Sequence, residues 1–476
     1  MNATPDSRTK HENYFSVITI VLIGILVIQS FCINAKSFGD ASELIVMGTF
    51  LMNALLGCLM LWIAMKRLPY SLSQVQWIFF ITFFVIAPLH QYHLQVWPWG
   101  YLPSDDQIVY VNILYFIWGF LFAVFSQGDL QLGSTGQIRE NFQSIKLDLS
   151  RESWLALVMV TMGCTVATIV LVGPFNLFTR ANAGIDMDST AFSLLAYVLL
   201  RAGVFVPTLF ILLGYKSDKK DTIGLTLCLL CTLIVCFPTA LPRFNFAAIY
   251  GSIALILFPK IFKRKGVFAL ILVIGFLVVY PFLDAFKYIL NSFSSKQLTE
   301  TILNSMSRGY STGNYDAYSV FFWVSDYTAK FGITYGRQLL GALLLFIPRS
   351  IWSTKPLPSG QEVFLSFDMP FTDIACPMPC EGYINFGVVG LAVFAVCYAF
   401  LVRKLDTEYW CLETTNKCLK DGVLPVFYPL FLFLSFYLLR GSLITTMTFV
   451  LGDLATVWLI SNVILRLFSK KEKSYR

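Results

Sequence analysis

Between residues 346 and 360 the sequence runs FIPRSIWSTKPLPSG. An apolar run halts at Pro348, and Arg349, Trp352, Lys355, Pro356, Pro358 and Gly360 follow closely. Proline fixes φ and does not continue a helix in the usual way, so Arg349 and Lys355 ride on a stiff turn. An Arg fork held in place grips a phosphate through two parallel hydrogen bonds and loses little freedom in doing so, while a Lys adds a point charge. The chemistry on offer is therefore the binding of phosphate or diphosphate. The competing role is an interfacial anchor, with Trp, Arg and Lys holding lipid head groups.

More arginines keep that stretch company. Arg180 in FTRANAG, Arg243 in ALPRFNF and Arg440 in LLRGS each stand alone at a helix end, and Arg308 in SRGYSTGNYDAYS and Arg337 precede Arg349. Breaking a sugar–phosphate bond builds negative charge on the departing diphosphate, and each positioned donor in a partly dehydrated site stabilises such charge by roughly 3 kcal/mol. An acceptor hydroxyl must also lose a proton. Asp316, in GNYDAYS, is the first candidate base and Glu362, two residues past Gly360, the second; a solvated loop carboxylate is the plain alternative for each. His90 and His93 in PLHQYH form a weaker pair that an interfacial or packed role explains equally. Asp105 with Asp106, and Asp186 with Asp188, could ligate Mg or Mn. Two carboxylates without a third ligand do not make a metal site, however, so no metal is expected. No P-loop or GxGxxG fingerprint opens a helix, and no cofactor is expected. Trp97, Trp99, Tyr101, Tyr310, Tyr315, Tyr318, Trp323 and Trp352 could stack on sugar rings, although membrane-interface belts use the same residue types.

These residues need elements to hold them. The chain has 476 residues, 57% hydrophobic and 13% charged, with a mean hydropathy of +0.68, which excludes a soluble globular domain. It reads as an all-α polytopic membrane protein of about twelve transmembrane helices. Their cores fall at 14–34, 43–64, 76–92, 108–125, 154–173, 192–214, 222–239, 244–259, 267–283, 384–402, 422–439 and 443–465. Residues 1–283 hold the first nine, 284–383 form one long loop with short interfacial helices, and 384–476 hold the last three and a tail. Within the loop, GRQLLGALLLFIP at 336–348 is too short to span and reads as an interfacial or re-entrant helix.

The connections alternate in charge. Lys66 and Arg67, then Arg139, Lys146 and Arg151, KSDKK at 216–220, KIFKRK at 260–265, the 403–420 loop and the tail KKEKSYR fall on one side. That side is cytoplasmic by the positive-inside rule, and it takes both termini with it. The short loops opposite hold at most one basic residue each, so their arginines run against the trend and ask for a reason. The net charge of +7 thus reports orientation and not a nucleic-acid partner. The N-terminal apolar run is of full spanning length and reads as a retained helix. Arg201, midway along the sixth predicted helix, is an ionisable residue at membrane depth whose ordinary explanation is an internal ion pair. Most of the eleven cysteines pack in apolar runs as small hydrophobes. Cys376 and Cys380 in CPMPC could bridge if their loop faces an oxidising compartment.

The run YGRQLLGALLLFIPRSIWSTKPLPSG, preceded by RGYSTGNYDAYS and followed by EGYINFGVVG, resembles the Wzy-type O-antigen and oligosaccharide repeat-unit polymerases. That family carries Arg, ten residues, then Gly in outer-face loops, a spacing met by Arg349 and Gly360. Arg180 and Arg243 have Ala191 and Ala254 at the corresponding place, a departure from the pattern. The resemblance implies a membrane glycosyltransferase at the periplasmic face of the bacterial inner membrane. Its donor and acceptor would be oligosaccharides on undecaprenyl diphosphate, bound through Arg180, Arg243, Arg308, Arg337, Arg349, Lys355, Gly360 and Arg440. A chain-length regulator is the protein partner it suggests. The rival readings are an O-antigen ligase, which shares the many-helix plan, and a polysaccharide flippase or transporter. The chain lacks the two similar halves common in transporters.

Overall fold

The computed structural model describes residues 14–32, 41–127, 147, 149–178, 191–215, 221–279, 309–371, 374–414 and 423–467; Arg180, Asp186, Asp188 and Arg308 lie outside them. The first six helices are α1 (Tyr14–Cys32), α2 (Ala41–Arg67), α3 (Leu72–Leu94), α4 (Asp105–Ser126), α5 (Arg151–Val172) and α6 (Ala191–Tyr215). Shorter apolar helices follow as α7 (Thr222–Val235), α8 (Arg243–Leu257) and α9 (Val267–Leu277). The long loop carries α10 (Val320–Phe331), α11 (Arg337–Leu343) and α12 (Ser359–Leu365), and the chain returns through α13 (Met378–Thr414), α14 (Val423–Arg440) and α15 (Leu443–Leu465).

Among the described residues there is no strand, and nine helices, α1 to α6 and α13 to α15, are long and apolar enough to cross a membrane. The chain is an all-α polytopic membrane protein. Each predicted segment overlaps one helix, and α7, α8 and α9 are shorter than a full span. The long loop holds more order than its polar sequence suggests, since α10 has twelve residues and packs on α12 and α13.

Helical periodicity sorts lipid-facing from buried surface. Exposed apolar residues recur at three- and four-residue steps, as in Val17, Val21, Ile25 and Ile28 of α1 or Leu51, Leu55, Leu59 and Ile63 of α2. Such a stripe is hydrocarbon-facing, because in water it would expose a continuous apolar ridge. By contrast α3 is 94% buried and stands at the centre, against α2, α9, α13 and α14. Its middle turn, Thr82–Ile86, is π-helical. Such single-turn bulges inside α-helices are frequent at functional sites. Phe83 then stacks on Tyr315 (5.3 Å), Phe84 on Tyr115 (3.8 Å), and Phe79 meets Phe436 (5.4 Å) edge-on, an aromatic column joining α3, α4 and α14 to the long loop.

The two ends of the bundle carry different connections. At one end Lys265 donates to the Lys66 carbonyl, and Tyr70 bonds Tyr409 (3.0 Å), gathering the basic connections. The opposite end carries the long loop together with the 95–105, 236–243 and 440–443 connections.

Candidate functional site

The segment bearing Asp316 is sunk into the top of the bundle. Gln91 of α3 donates to the carbonyls of Tyr310 (2.7 Å) and Tyr315 (3.0 Å), and the Tyr310 and Tyr315 hydroxyls reach back to the Leu277 and Phe276 carbonyls. Tyr318 donates to Asn112 Oδ1 at 2.9 Å, and Tyr115 to the Ala317 carbonyl at 3.1 Å. Six hydrogen bonds to three helices, α3, α4 and α9, fix this turn.

On that platform three of the predicted residues, Arg243, Arg440 and Asp316, come together. Asp316 is 1% exposed, and its Oδ1 accepts from Arg440 Nη2 at 2.8 Å. The same nitrogen also donates to the Gly313 carbonyl at 2.7 Å. Asp316 Oδ2 accepts from the Trp99 indole at 3.0 Å. Arg243, at the start of α8, places Nη1 3.4 Å from Asn314 Oδ1. Phe244 beside it lies flat on Tyr437 of α14 at 3.5 Å, so α8 and the end of α14 are clamped together one turn before Arg440. Two guanidinium groups from distant parts of the chain thus meet one rigid turn. Burial pushes the Asp316 carboxyl above the ordinary carboxylate range, while the Arg440 charge and the Arg440 and Trp99 hydrogen bonds pull it back. With both oxygens engaged, the carboxylate aims Arg440.

Trp99 is held at φ 65°, a region that bulky residues avoid. Its ring lies over Gly313, where a Cβ would come within 2.7 Å of the indole. A strained residue kept at a cost of order 1–3 kcal/mol is a frequent mark of functional geometry.

A second group forms on the long loop itself. Arg337 Nη1 pairs with Glu362 Oε1 at 3.1 Å, Gln338 donates to Oε2 at 2.6 Å, and the Tyr327 hydroxyl approaches Oε1 at 3.4 Å. The Arg337 side chain is 53% exposed, so this pair contributes about 0–1 kcal/mol to stability.

Arg349 and Lys355 turn their donors inward. Arg349 Nη1 and Nη2 donate to the carbonyls of Lys355 (2.7 Å) and Pro356 (3.0 Å), and Lys355 Nζ donates to those of Leu345 (2.8 Å) and Ile347 (2.9 Å). The two cations satisfy carbonyls that the prolines and the end of α11 leave without amide partners. Burial, followed by the nearby Arg349 charge, lowers the Lys355 ammonium pKa. Arg349 remains exposed, with further N–H donors on its outer edge.

The second and third groups join the first through residues with no assigned role in the sequence reading. Glu381 is 1% exposed; Oε1 accepts from the Leu443 amide at 2.8 Å and Oε2 from Ser359 at 2.7 Å. It caps the start of α15 and ties it to the start of α12. The Gly360 amide donates to Ser442 Oγ at 3.3 Å, two residues beyond Arg440. A Cβ on Gly360 would lie 2.1 Å from the Ile374 carbonyl oxygen, so this position admits only glycine. Asn385 Oδ1 takes the Leu339 amide at 3.1 Å and thereby seats α11. The glutamate and asparagine lie in the EGYINFG stretch, where α13 kinks at Gly387 (φ 64°).

Several expectations need correcting. Trp97, Tyr310, Tyr315 and Tyr318 are buried and offer no face to a sugar; Trp99, Tyr101, Trp323 and Trp352 are half-buried. Cys376 and Cys380 are buried free thiols and form no bridge. His90 packs on the Tyr310 ring at 4.7 Å, its structural alternative. Asp105 and Asp106 open α4 behind a Ser104–Gln107 capping box. Arg201 is buried in α6, which packs on α15 where Asp453 is buried too. No protein-family model matches the chain, and no curated protein or solved structure matches it significantly.

Proposed function

We propose that this protein is a membrane glycosyltransferase that joins oligosaccharide repeat units carried on undecaprenyl diphosphate, working at the periplasmic face of the bacterial inner membrane with both termini in the cytoplasm. The observation that carries the reading is the convergence of Arg243 and Arg440 on the Gly313–Asp316 turn, with Arg440 oriented by a buried carboxylate. Fixed guanidinium donors at a membrane-proximal surface suit the charge that develops on a departing diphosphate, because their reorganisation is complete before the bond breaks. In this reading Arg440 and Arg243 bind the diphosphate, Arg349 contributes its exposed edge, and Lys355 holds the Arg349 turn. Arg180 and Arg308 belong to the same set by sequence. Glu362, held by Arg337 and Gln338, is the carboxylate of the loop that takes the acceptor proton.

The test is complementation of a polymerase-deficient strain. Arg440→Ala should abolish the ladder of polymer lengths and leave capped cores bearing one repeat unit, while the protein is still inserted. Bare cores with lipid-linked polymer accumulating would indicate the ligase instead, and an unaltered ladder would remove Arg440 from the mechanism.

A further inference from the structure

Helices α8 and α9 follow one another in the chain but pack on different neighbours, α8 along α6 and α14 and α9 along α1 and α3. The 258–266 connection joins them at the basic end, and α14 lies behind the space between the two arms. Phe433 of α14 reaches Phe268 of α9 edge-on at 6.0 Å, and Phe436 stacks on Phe276 at 4.1 Å. Phe433 also lies against α8, where a Cβ on Gly251 would come within 2.5 Å of its ring. Both phenylalanines are half-buried, so they form the floor of a trough and not a sealed seam.

The walls leave room above that floor. Ala247 and Ala254 flank Gly251 on the same face of α8, and both are half-buried and small. On α9, Ile271 is 47% exposed, and a Cβ on Gly275, four residues further on, would meet no atom within 4 Å. At the upper end stand Arg243, the first residue of α8, and Arg440, the last of α14, both on the Gly313–Asp316 turn. Tyr310 and Tyr315 fasten the same turn to the end of α9 through the Leu277 and Phe276 carbonyls. On the other flank, Phe244 packs on Tyr437 (3.5 Å) and Phe449 (5.2 Å), which shuts the seam between α8, α14 and α15. Beneath the arginines the lining is apolar over about 20 Å, the rise of the 15 residues of α8. In a bilayer such a trough fills with hydrocarbon, and since one lipid tail is as apolar as another, the charged group at its end decides which chain is held.

We propose that the trough between α8 and α9 seats the polyprenyl tail of the lipid carrier, which runs down from the diphosphate at Arg243 and Arg440 over Phe436 and Phe433. The inference rests on the diphosphate reading of those arginines and adds the route by which the carrier reaches them from the bilayer.

The experiment is native mass spectrometry of the full-length protein in detergent with undecaprenyl diphosphate, undecaprenol, phosphatidylglycerol or isopentenyl diphosphate, the last a diphosphate with almost no tail. The wild type should retain undecaprenyl diphosphate in preference to undecaprenol and phosphatidylglycerol. Gly275→Phe, which projects a ring into the trough, should weaken retention of undecaprenyl diphosphate about tenfold, the scale of an overpacked contact, and leave isopentenyl diphosphate unchanged. Arg440→Gln should weaken both diphosphates about tenfold, as the loss of a charge-assisted contact does. Should Gly275→Phe fail to fold, Ala254→Phe fills the trough from the opposite wall and carries the same expectation. If the filled variants hold undecaprenyl diphosphate as the wild type does while Arg440→Gln does not, the trough is overturned and the arginine site stands. If Arg440→Gln holds both diphosphates undiminished, the head-group reading falls and the proposal with it. Undecaprenol or phosphatidylglycerol retained as tightly as the diphosphate would make the trough an ordinary lipid-filled crevice and overturn the proposal.

Discussion

The pair between Asp316 and Arg440 can be dissected by a double-mutant cycle. Asp316→Asn keeps the shape of the side chain and its acceptor for Trp99 while removing the charge that faces Arg440 Nη2 at 2.8 Å. Removing one partner of a fully buried pair costs about 3–5 kcal/mol; because the Arg440 side chain is 22% exposed, water relieves part of the loss and about 3 kcal/mol is expected. Arg440→Gln strands the carboxylate instead. There the pH sets the cost. The folded pKa of Asp316 is raised by burial even with Arg440 present, so its contribution to stability is fully present below the ordinary value of 3.8 and is lost as pH rises through the raised value. Without Arg440 that pKa rises further, and the Arg440→Gln protein should lose more stability between acid and neutral pH than the wild type. The doubly substituted protein carries neither an unpaired cation nor a stranded anion, so the single effects should overshoot their combination by about 2 kcal/mol. Equilibrium unfolding in mixed micelles, followed by tryptophan fluorescence, measures all four proteins, and Trp99 lies on the pair as a reporter. Additivity within about 0.5 kcal/mol would refute the claim that the carboxylate holds Arg440.

Other outcomes follow from the same contacts. Gly360→Ala should fail to reach the native fold, because its methyl would meet the Ile374 carbonyl oxygen at 2.1 Å and backbone has no room to yield; protease resistance of the 359–376 segment reads this directly. Glu381→Ala should cost about 1–3 kcal/mol by leaving the Leu443 amide buried without an acceptor, whereas Glu381→Gln, whose amide oxygen still accepts from it, should lose less; thermal unfolding of the purified proteins ranks them. Cys376 and Cys380 should resist a soluble maleimide until the protein is denatured and then take two labels; failure to label after denaturation would mean a bridge. Lys355→Ala should lower stability more than Arg349→Ala, since Lys355 is buried on two carbonyls, while Arg349→Ala should damage polymer extension more, and comparison of melting temperature with ladder length separates the two effects.

The parts of the fold legible in the sequence are those governed by averages over many residues. Spanning length, the lipid-facing stripes and the alternation of charged connections each follow from the solvent on either side. Each of the twelve predicted segments accordingly overlaps a helix, nine of them long and apolar enough to span. The kinked start of α13 and the helix α10 were not legible for a common reason: both depend on a single local packing event. At α13 it is the close approach of Gly382 and Gly390, where a Cβ on Gly390 would lie 2.1 Å from the Gly382 carbonyl oxygen. At α10 it is the burial of Val320, Phe321 and Val324 beneath a loop whose flanking residues are polar.

The candidate site shows the same divide at finer grain. A sequence displays which side chains carry charge and where prolines stiffen the chain, so Arg349 stands out; it cannot display which carbonyls lie within reach of a fork. Those of Lys355 and Pro356 do, and they occupy the two nitrogens that a phosphate would otherwise take. Arg440 gives the weaker signal in isolation, one arginine at the end of an apolar run. Its weight comes from Asp316, a loop carboxylate that Tyr310, Tyr315 and Tyr318 surround and that is buried with them. Aromatic residues spaced on both sides of one acid are costly to leave in water, and burying them takes the acid along. An acid so buried must find donors, and where one of them is a cation, as at Asp316, that cation loses rotamer freedom before any substrate arrives. Preorganisation at this face is therefore a product of hydrophobic burial acting through an ion pair, and a variant that loosens Tyr315 or Tyr318 should disorder Arg440 without touching it.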